Sequence, residues 1–425
     1  MTSSLGWIDF SSEHREKVRS VIDFLSAPGV VDELGIGVIR DTFADGMFPG
    51  ISTIQTRPKY FLLTALLIRD FQTKERAKRK PRTLERFLEE EEKLCRIRLV
   101  EKHGAGRVNL GIIGGTFGLD SKRDVVRRPS SVYWNGLRKF GFISPPHLSL
   151  AEFGKRLSDD EKQLHALLQE AGDDRGDDAD ATDGGQTLRV LAPEVSADYW
   201  ADFSIDLTPE EADFLHNRIL VHQRETLLGQ ILAKDEAMKQ VARLPSSSDF
   251  GTFADLPFVS ELKSEDLRKL VHHARDFWLI LEGAHIRYNC LLQEAGLGTP
   301  ELKEMFEQAW QEWRERIQSF PRGWDSGFLW HQVSKHGSQP REFTRRFVDA
   351  WIEEARQGAS NRRRCDELVT NQERLNKGAR ARLRPGHEGA IRDWIGFDRL
   401  NYRLPQIRQL VVDLRKAEKQ KGVGL

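Results

Sequence analysis

Residues 127–143 read RRPSSVYWNGLRKFGFI, a short helix running straight into a strand. Tyr133, Leu137 and Phe140 recur at i, i+4 and i+7, and Trp134 widens that stripe into one apolar face. Ser130 is placed to cap the first turn with its hydroxyl. Gly141 ends the helix, because glycine alone enters the left-handed conformation without strain. Phe142 and Ile143 then open a strand, and Pro145-Pro146 stops it. The opposite side of the helix carries Ser131, Asn135, Arg138 and Lys139, with Arg127 and Arg128 at its approach. All six are of a kind able to reach phosphates or base edges.

Helix, glycine turn and apolar strand in that order resemble the recognition helix and wing of a winged helix-turn-helix domain. On that reading Arg127, Arg128, Ser131, Asn135, Arg138 and Lys139 form a nucleic-acid face. Lys78, Arg79 and Lys80, in the same domain, extend it. The competing reading is a helix–strand corner packed within the domain, with Arg138 and Lys139 merely solvated. Winged-helix domains also serve as protein-docking modules, so a protein partner stays open.

Composition narrows the class. The 425 residues leave room for two or three domains, and 39% apolar with 31% charged residues describes a globular chain with a wet surface. The longest apolar stretch, near Tyr60–Ile68, is closed by Arg69-Asp70, too short for a membrane span. The N-terminus, MTSSLGWIDFSSEHREK, has neither the basic nor the apolar region of a secretory signal. Cys95, Cys290 and Cys365 form no CxxC pair, which fits free thiols in a reducing compartment. A cytoplasmic location follows as the expectation. Lys+Arg and Asp+Glu both total 65, so net charge makes no case for nucleic acid. Its distribution is uneven. Arg57–Arg82 holds nine cations against two acids, Arg356–Arg384 nine against three, and Glu170–Asp183 seven acids against one Arg. Such basic segments bind phosphates even in a neutral protein, although each also fits a solvated helix face.

Along the chain, residues 1–170 read as one mostly helical domain. A first helix is capped at Ser11 or Ser12. A second spans Ile36–Phe43, and after the Pro49-Gly50 turn a buried helix starts at Pro58. Thr83–Val100 is a charged helix with Leu84, Phe87, Leu88, Leu94 and Ile97 inward. Ser158-Asp159-Asp160-Glu161 is a capping box. Residues 171–187, rich in Asp and Gly, read as an acidic flexible linker, since they bury too little to offset chain entropy. Proteolysis there should leave two stable fragments. Residues 188–425 read as a helical domain. Thr208-Pro209-Glu210-Glu211 opens one helix. Ser264 opens a long one through Leu267, Leu270, Val271, Ala274, Trp278 and Leu281, ending at Gly296, and Thr299-Pro300 and Pro405 open others. The fold class is mainly α with a small β contribution.

No catalytic residue emerges. LGIIGGTFG lacks the Lys-Ser/Thr of a P-loop, so its glycines read as turns. His272 and His273 diverge by about 100° on a helix and cannot share a metal. Asp41 and Asp45 share a helix face beside Arg40, in an exposed salt-bridge setting. No metal and no cofactor are expected.

Several blocks, in order and from end to end, resemble an uncharacterised bacterial domain-of-unknown-function family. They are GWIDFS (6–11), FADGMFPGISTIQTRPKYFL (43–62), RRPSSVYWNGLRKFGFI, LTPEEADFL (207–215), LEGAHIRYNCLL (281–292), RLNKGARARL (374–383) and FDRLNYRLPQIRQLVVDL (397–414). The resemblance implies a bacterial protein encoded near helicase-like and other antiphage genes, and carries no catalytic residue. This chain departs from the pattern at Asn371-Gln372-Glu373, where relatives read more like Arg-Glu, leaving a polar role there open. The expectation is therefore a non-enzymatic subunit of a multi-component system, binding nucleic acid (DNA in preference to RNA) or protein. Its helical C-terminal domain would dock protein partners. The alternative is a divergent enzyme, such as a nuclease, whose site forms only in the fold.

Overall fold

The computed structural model describes residues 32–75, 82–104, 110–116, 125, 127–158, 188–320, 324–387, 389–397 and 399–421. In chain order come α1 (Gly37–Met47), α2 (Lys59–Asp70), α3 (Leu84–His103), α4 (Pro129–Lys139), β1 (Ile143–Ser144) and β2 (Arg189–Val190). Next are α5 (Pro209–Gln223), α6 (Leu227–Leu232), α7 (Asp235–Arg243), α8 (Phe250–Ala254), α9 (Pro257–Ser260) and α10 (Glu265–Glu294). The last are α11 (Pro300–Ile317), α12 (Ser326–Lys335), α13 (Glu342–Arg356), α14 (Arg362–Lys377) and α15 (Leu404–Lys421). The fold is mainly helical. Among the described residues the one sheet pairs β1 with β2 antiparallel, Ile143 opposite Val190 and Ser144 opposite Arg189.

The chain divides into two compact units, each made of two stretches. The first takes the chain up to Met47 with Ser248–Tyr402; the second takes Phe48–Ser247 with Arg403–Leu425. This division differs from the expected one at residues 171–187, which lie outside the described residues, as do the helix read after Ser11 and most of the Ser158 capping box. The physical reason is the partners that α15 and α1 find. The α15 stripe of Ile407, Leu410, Val411 and Leu414 is buried, and α15 packs on α5 and α7 within the second unit. Helix α1 packs on α10 within the first.

In the second unit, α2 is buried at every residue from Lys59 to Ile68. The stripe expected on α4 lies across it. Tyr133 meets Phe61 edge-on at 4.7 Å between centroids, and Phe140 lies 5.2 Å from Phe61. The Tyr133 hydroxyl accepts from Thr56 N (2.8 Å) and Arg57 N (3.1 Å) and donates to Arg57 O (2.9 Å), fixing the entry to α2. Gly141 ends α4 at φ +68°. Two local readings are corrected. Arg128, not Ser130, holds the N-cap position, because Pro129 has the φ of a first helical residue. On α3, Leu94 is 45% exposed, while Glu92, Cys95, Arg96 and Leu99 join Leu84 and Leu88 on the inner side.

In the first unit, α10 runs about 45 Å and is capped by Ser264, whose Oγ accepts from Leu267 N. Phe277 rather than Trp278 fills its inner face, and residues 283–290 are buried on every side. A Cβ on Gly283 would come within 2.2 Å of Trp313, so glycine lets that indole lie against the helix backbone. The Trp313 and Trp351 indoles donate to Leu279 O (2.7 Å) and Ile280 O (2.8 Å).

Many ties of the second unit join residues before the acidic run to residues after it. Lys59 bonds both Glu211 oxygens at 2.6 Å, Arg69 reaches Pro193 O at 2.6 Å, and the β1–β2 pair itself bridges the run. The expectation of two separable fragments changes accordingly. A chain cut at a protease site engineered between Gly172 and Gly185 should show two bands on a denaturing gel but one gel-filtration peak. Fragments that separate under native conditions would contradict these ties.

Candidate nucleic-acid interface

Helix α4 buries Val132, Tyr133, Trp134, Gly136 and Leu137 and leaves Ser131, Asn135 and Lys139 exposed at i, i+4 and i+8. The two expected cations on its outer side fare differently. Arg138 is half-buried: Nη1 donates to His147 O and Leu148 O (both 3.3 Å) and Nη2 to Asn135 Oδ1 (3.3 Å). It braces the turn after β1. Lys139 is exposed and has no ion pair among the described residues. Arg127 is exposed at the approach, and Arg128 is paired with Glu89 at 2.8 Å. Lys78, Arg79 and Lys80 lie outside the described residues.

Three residues that sequence reading missed join Lys139 at the end of α4. Arg218 of α5 donates to the carbonyl of Gly141, and a Cβ at Gly141 would come within 2.1 Å of His222. Gln223 donates to Lys139 O at 2.7 Å, and Arg224 follows it, exposed. Lys139, Arg218 and His222 thus gather where α4 turns into β1, and Arg224 is exposed one residue beyond Gln223. None forms an ion pair with a carboxylate among the described residues. The carbonyl end of α4 also favours cations at this corner. The only sequence signal was the charge spacing of HNRILVHQRE (216–225) on α5, with Arg218 and His222 at i, i+4, which nothing linked to α4.

At its other end α4 meets a buried acid. The Glu92 carboxylate accepts from Ser130 N (2.6 Å) and Ser130 Oγ (3.2 Å). Burial pushes its pKa up from 4.5 to about 7, against the opposing hydrogen bonds from Ser130 and the charge of Arg128. A carboxyl whose folded pKa is raised adds stability below its unfolded value and loses that stability as pH rises through the folded one. The window here is pH 4.5 to about 7. Glu92→Gln should therefore match the parent near the bottom of that window. Above it the variant should be the more stable, by on the order of 3 kcal/mol at about 1.4 kcal/mol per pKa unit. Parallel urea titrations across the window check this; equal pH profiles would refute it.

The first unit carries its own basic segment. The described residues between Gly378 and Tyr402 are strapped down at intervals. Glu373 accepts from Arg382 N (2.5 Å), Leu383 N (3.1 Å) and the Tyr288 hydroxyl (3.0 Å). Asn289 exchanges two 2.9 Å bonds with the backbone of Ile395, and the Tyr402 hydroxyl donates to Ala274 O at 2.7 Å. Arg380, Arg384, Arg392 and Arg399 remain exposed along this strap, without ion pairs among the described residues. The open question at Asn371-Gln372-Glu373 is answered by burial: Gln372 donates to Leu34 O (2.5 Å) and Glu373 anchors the strap.

Residues singled out for other chemistry take structural places. His273 stacks on Trp324 at 5.0 Å, and Arg40 bonds Asp41 at 2.9 Å. Gly115 N donates to Ile112 O (2.9 Å), so GIIGG is a turn as read. The three cysteines are free and buried. Among the described residues no three His, Cys, Asp or Glu side chains are grouped to hold a metal, and no helix is long and apolar enough to cross a membrane.

The chain belongs to a family of unknown function, DUF6361, whose model matches residues 2–417. Neither a curated protein nor a solved structure matches it.

Proposed function

We propose that this chain is a non-enzymatic nucleic-acid-binding subunit of a bacterial multi-component system, with antiphage defence as its setting. In this reading α4 and the β1–β2 ribbon act as a winged-helix-like contact, and duplex DNA is the preferred ligand. The observation that supports it is the basic corner of Lys139, Arg218 and His222 with Arg224 beside it, none of which forms an ion pair with a carboxylate among the described residues. A helix end next to a short ribbon is the geometry by which such domains meet a phosphate backbone. Protein partners would dock on the helices of residues 188–425.

The test is fluorescence anisotropy with duplex DNA, single-stranded DNA and RNA over a salt series. Each phosphate contact contributes a slope of roughly −0.9 in log K against log salt for duplex DNA. Lys139→Glu with Arg224→Glu, both exposed, should weaken binding and flatten the slope by about two contacts while leaving the fold intact. Leu137→Asp, in the core of the same helix, should unfold the unit regardless of ligand. Absence of salt-dependent binding to all three probes at low ionic strength would leave α4 as a protein-docking element.

A further inference from the structure

The cleft between α2, α3 and the start of α4 encloses about 500 Å³ counting its open mouth, and its lining includes Tyr60, Glu92, Lys93, Arg96, Arg128 and Pro129. Most of its polar groups are already committed. Arg128 is paired with Glu89, Glu92 holds Ser130, and the Tyr60 hydroxyl accepts from Ile113 N at 2.8 Å. Arg96 is the exception. It is 6% exposed, and neither Nη1 nor Nη2 has a hydrogen-bond partner among the described residues. A water-excluded guanidinium without an anion costs several kcal/mol, so native chains hold such groups where an acid meets them. No carboxylate among the described residues does so here. Lys93, on the exposed side of the same lining, adds a second cation without an ion pair among the described residues.

We infer that this cleft binds a small oxyanion of the phosphate class, held in a two-pronged grip by the Nη1 and Nη2 groups of Arg96 with Lys93 beside it. Two parallel N–H donors match two oxygens of one phosphoryl group, a geometry a lysine cannot reproduce. Two cations favour a doubly charged group over a monocarboxylate. The same oxygens are presented by free phosphate and by the phosphoryl end of a larger molecule. The seat lies at the opposite end of α4 from the basic corner, so it does not rest on the nucleic-acid reading.

Thermal unfolding of the full chain at fixed ionic strength tests it, with inorganic phosphate, adenosine monophosphate, acetate and chloride as probes. The parent should gain several degrees in Tm, saturably, with phosphate, and little with acetate or chloride. A stronger response to the monophosphate would identify the phosphoryl end of a larger molecule as occupant; an equal one would identify free phosphate. Arg96→Met should raise Tm in chloride, because it removes an unpaired buried charge, and should abolish the phosphate response. Arg96→Lys keeps the charge without the fork and should bind phosphate at least tenfold more weakly; it carries the test if the methionine variant fails to fold. The proposal is overturned if the parent responds to phosphate no more than to acetate or chloride. An undiminished response in Arg96→Met or Arg96→Lys, or a lower Tm of Arg96→Met in chloride, overturns it equally.

Discussion

Arg57→Met should cost the second unit about 3–5 kcal/mol, the usual result of removing one member of a buried ion pair. Arg57 is 7% exposed and ends in four bonds. Nε and Nη2 reach the two Asp413 oxygens (2.6 and 3.1 Å), Nη2 also reaches Asp206 (2.8 Å), and Nη1 reaches Leu110 O (2.9 Å). Burial lifts the Asp413 carboxyl above its ordinary value even with Arg57 pulling it down. Without the guanidinium, Asp413 would be a buried anion facing Asp206. Burial also opposes the ionisation of Asp206, but bonds from Lys416 and Arg57 hold that carboxyl below its ordinary value. The loss should therefore be larger at alkaline pH and shrink as Asp413 takes up a proton. Adding Asp413→Leu should recover most of it, since two apolar groups leave no charge stranded. Denaturant titrations of the single and double variants measure both. A single-variant loss below about 1 kcal/mol would mean that this pair does not hold α15 in place.

The elements that sequence made legible are those whose signals are local. The Ser264 cap, the Thr208–Glu211 capping box and the Tyr133, Leu137, Phe140 stripe all appear as read. The failures have a common cause in polar groups that are buried by distant partners. On α3 a count of apolar residues selects Leu94, but the inner stripe passes through Glu92 and Arg96, which such a count discards. Arg138 looked free because its acceptors, the carbonyls of residues 147 and 148, arrive only when the turn after β1 folds back. The basic corner was half visible: Lys139 was named, while Arg218 and His222 come from α5 by packing. The two units were invisible because Arg57 and Asp413 are 356 residues apart.

The blocks that carried the family resemblance mark such ties. RPKYFL supplies Arg57 and Lys59, LTPEE supplies Glu211, and LVVDL supplies Asp413, all joined in the second unit. Lys59 is held by Glu211 and lies over Tyr199 and Phe203 at 5.3 and 5.2 Å. Burial lowers its pKa, with Glu211 opposing. In the first unit LEGAHIRYNCLL supplies Tyr288 and Asn289 to fasten the strap that RLNKGARARL begins. These blocks therefore carry polar groups that the fold satisfies internally.

The same accounting gives the second large effect. Glu373→Ala should destabilise the first unit by about 3–5 kcal/mol, because three donors lose their acceptor at about 1–3 kcal/mol each, less than additively. Glu373 is fully buried, so water cannot replace it without opening the unit. The loss should be felt locally before it is felt globally. With Arg382 N and Leu383 N released, the hydrogen bonds that still tie the strap from Gly378 to Ile391 to α14 among the described residues are Gly378 N on Arg374 O and Arg374 on Leu383 O (2.8 Å). Trypsin should then cut after Arg380 or Arg382 at denaturant concentrations where the parent resists, and the 382 and 383 amides should exchange faster. Tyr288→Phe removes one donor and leaves both backbone bonds, so it should cost only about 1 kcal/mol and leave the strap protected. If the alanine variant keeps its stability and its resistance to trypsin at the strap, the carboxylate is not the anchor. The exposed arginines of the strap would then need another cause for their fixed positions.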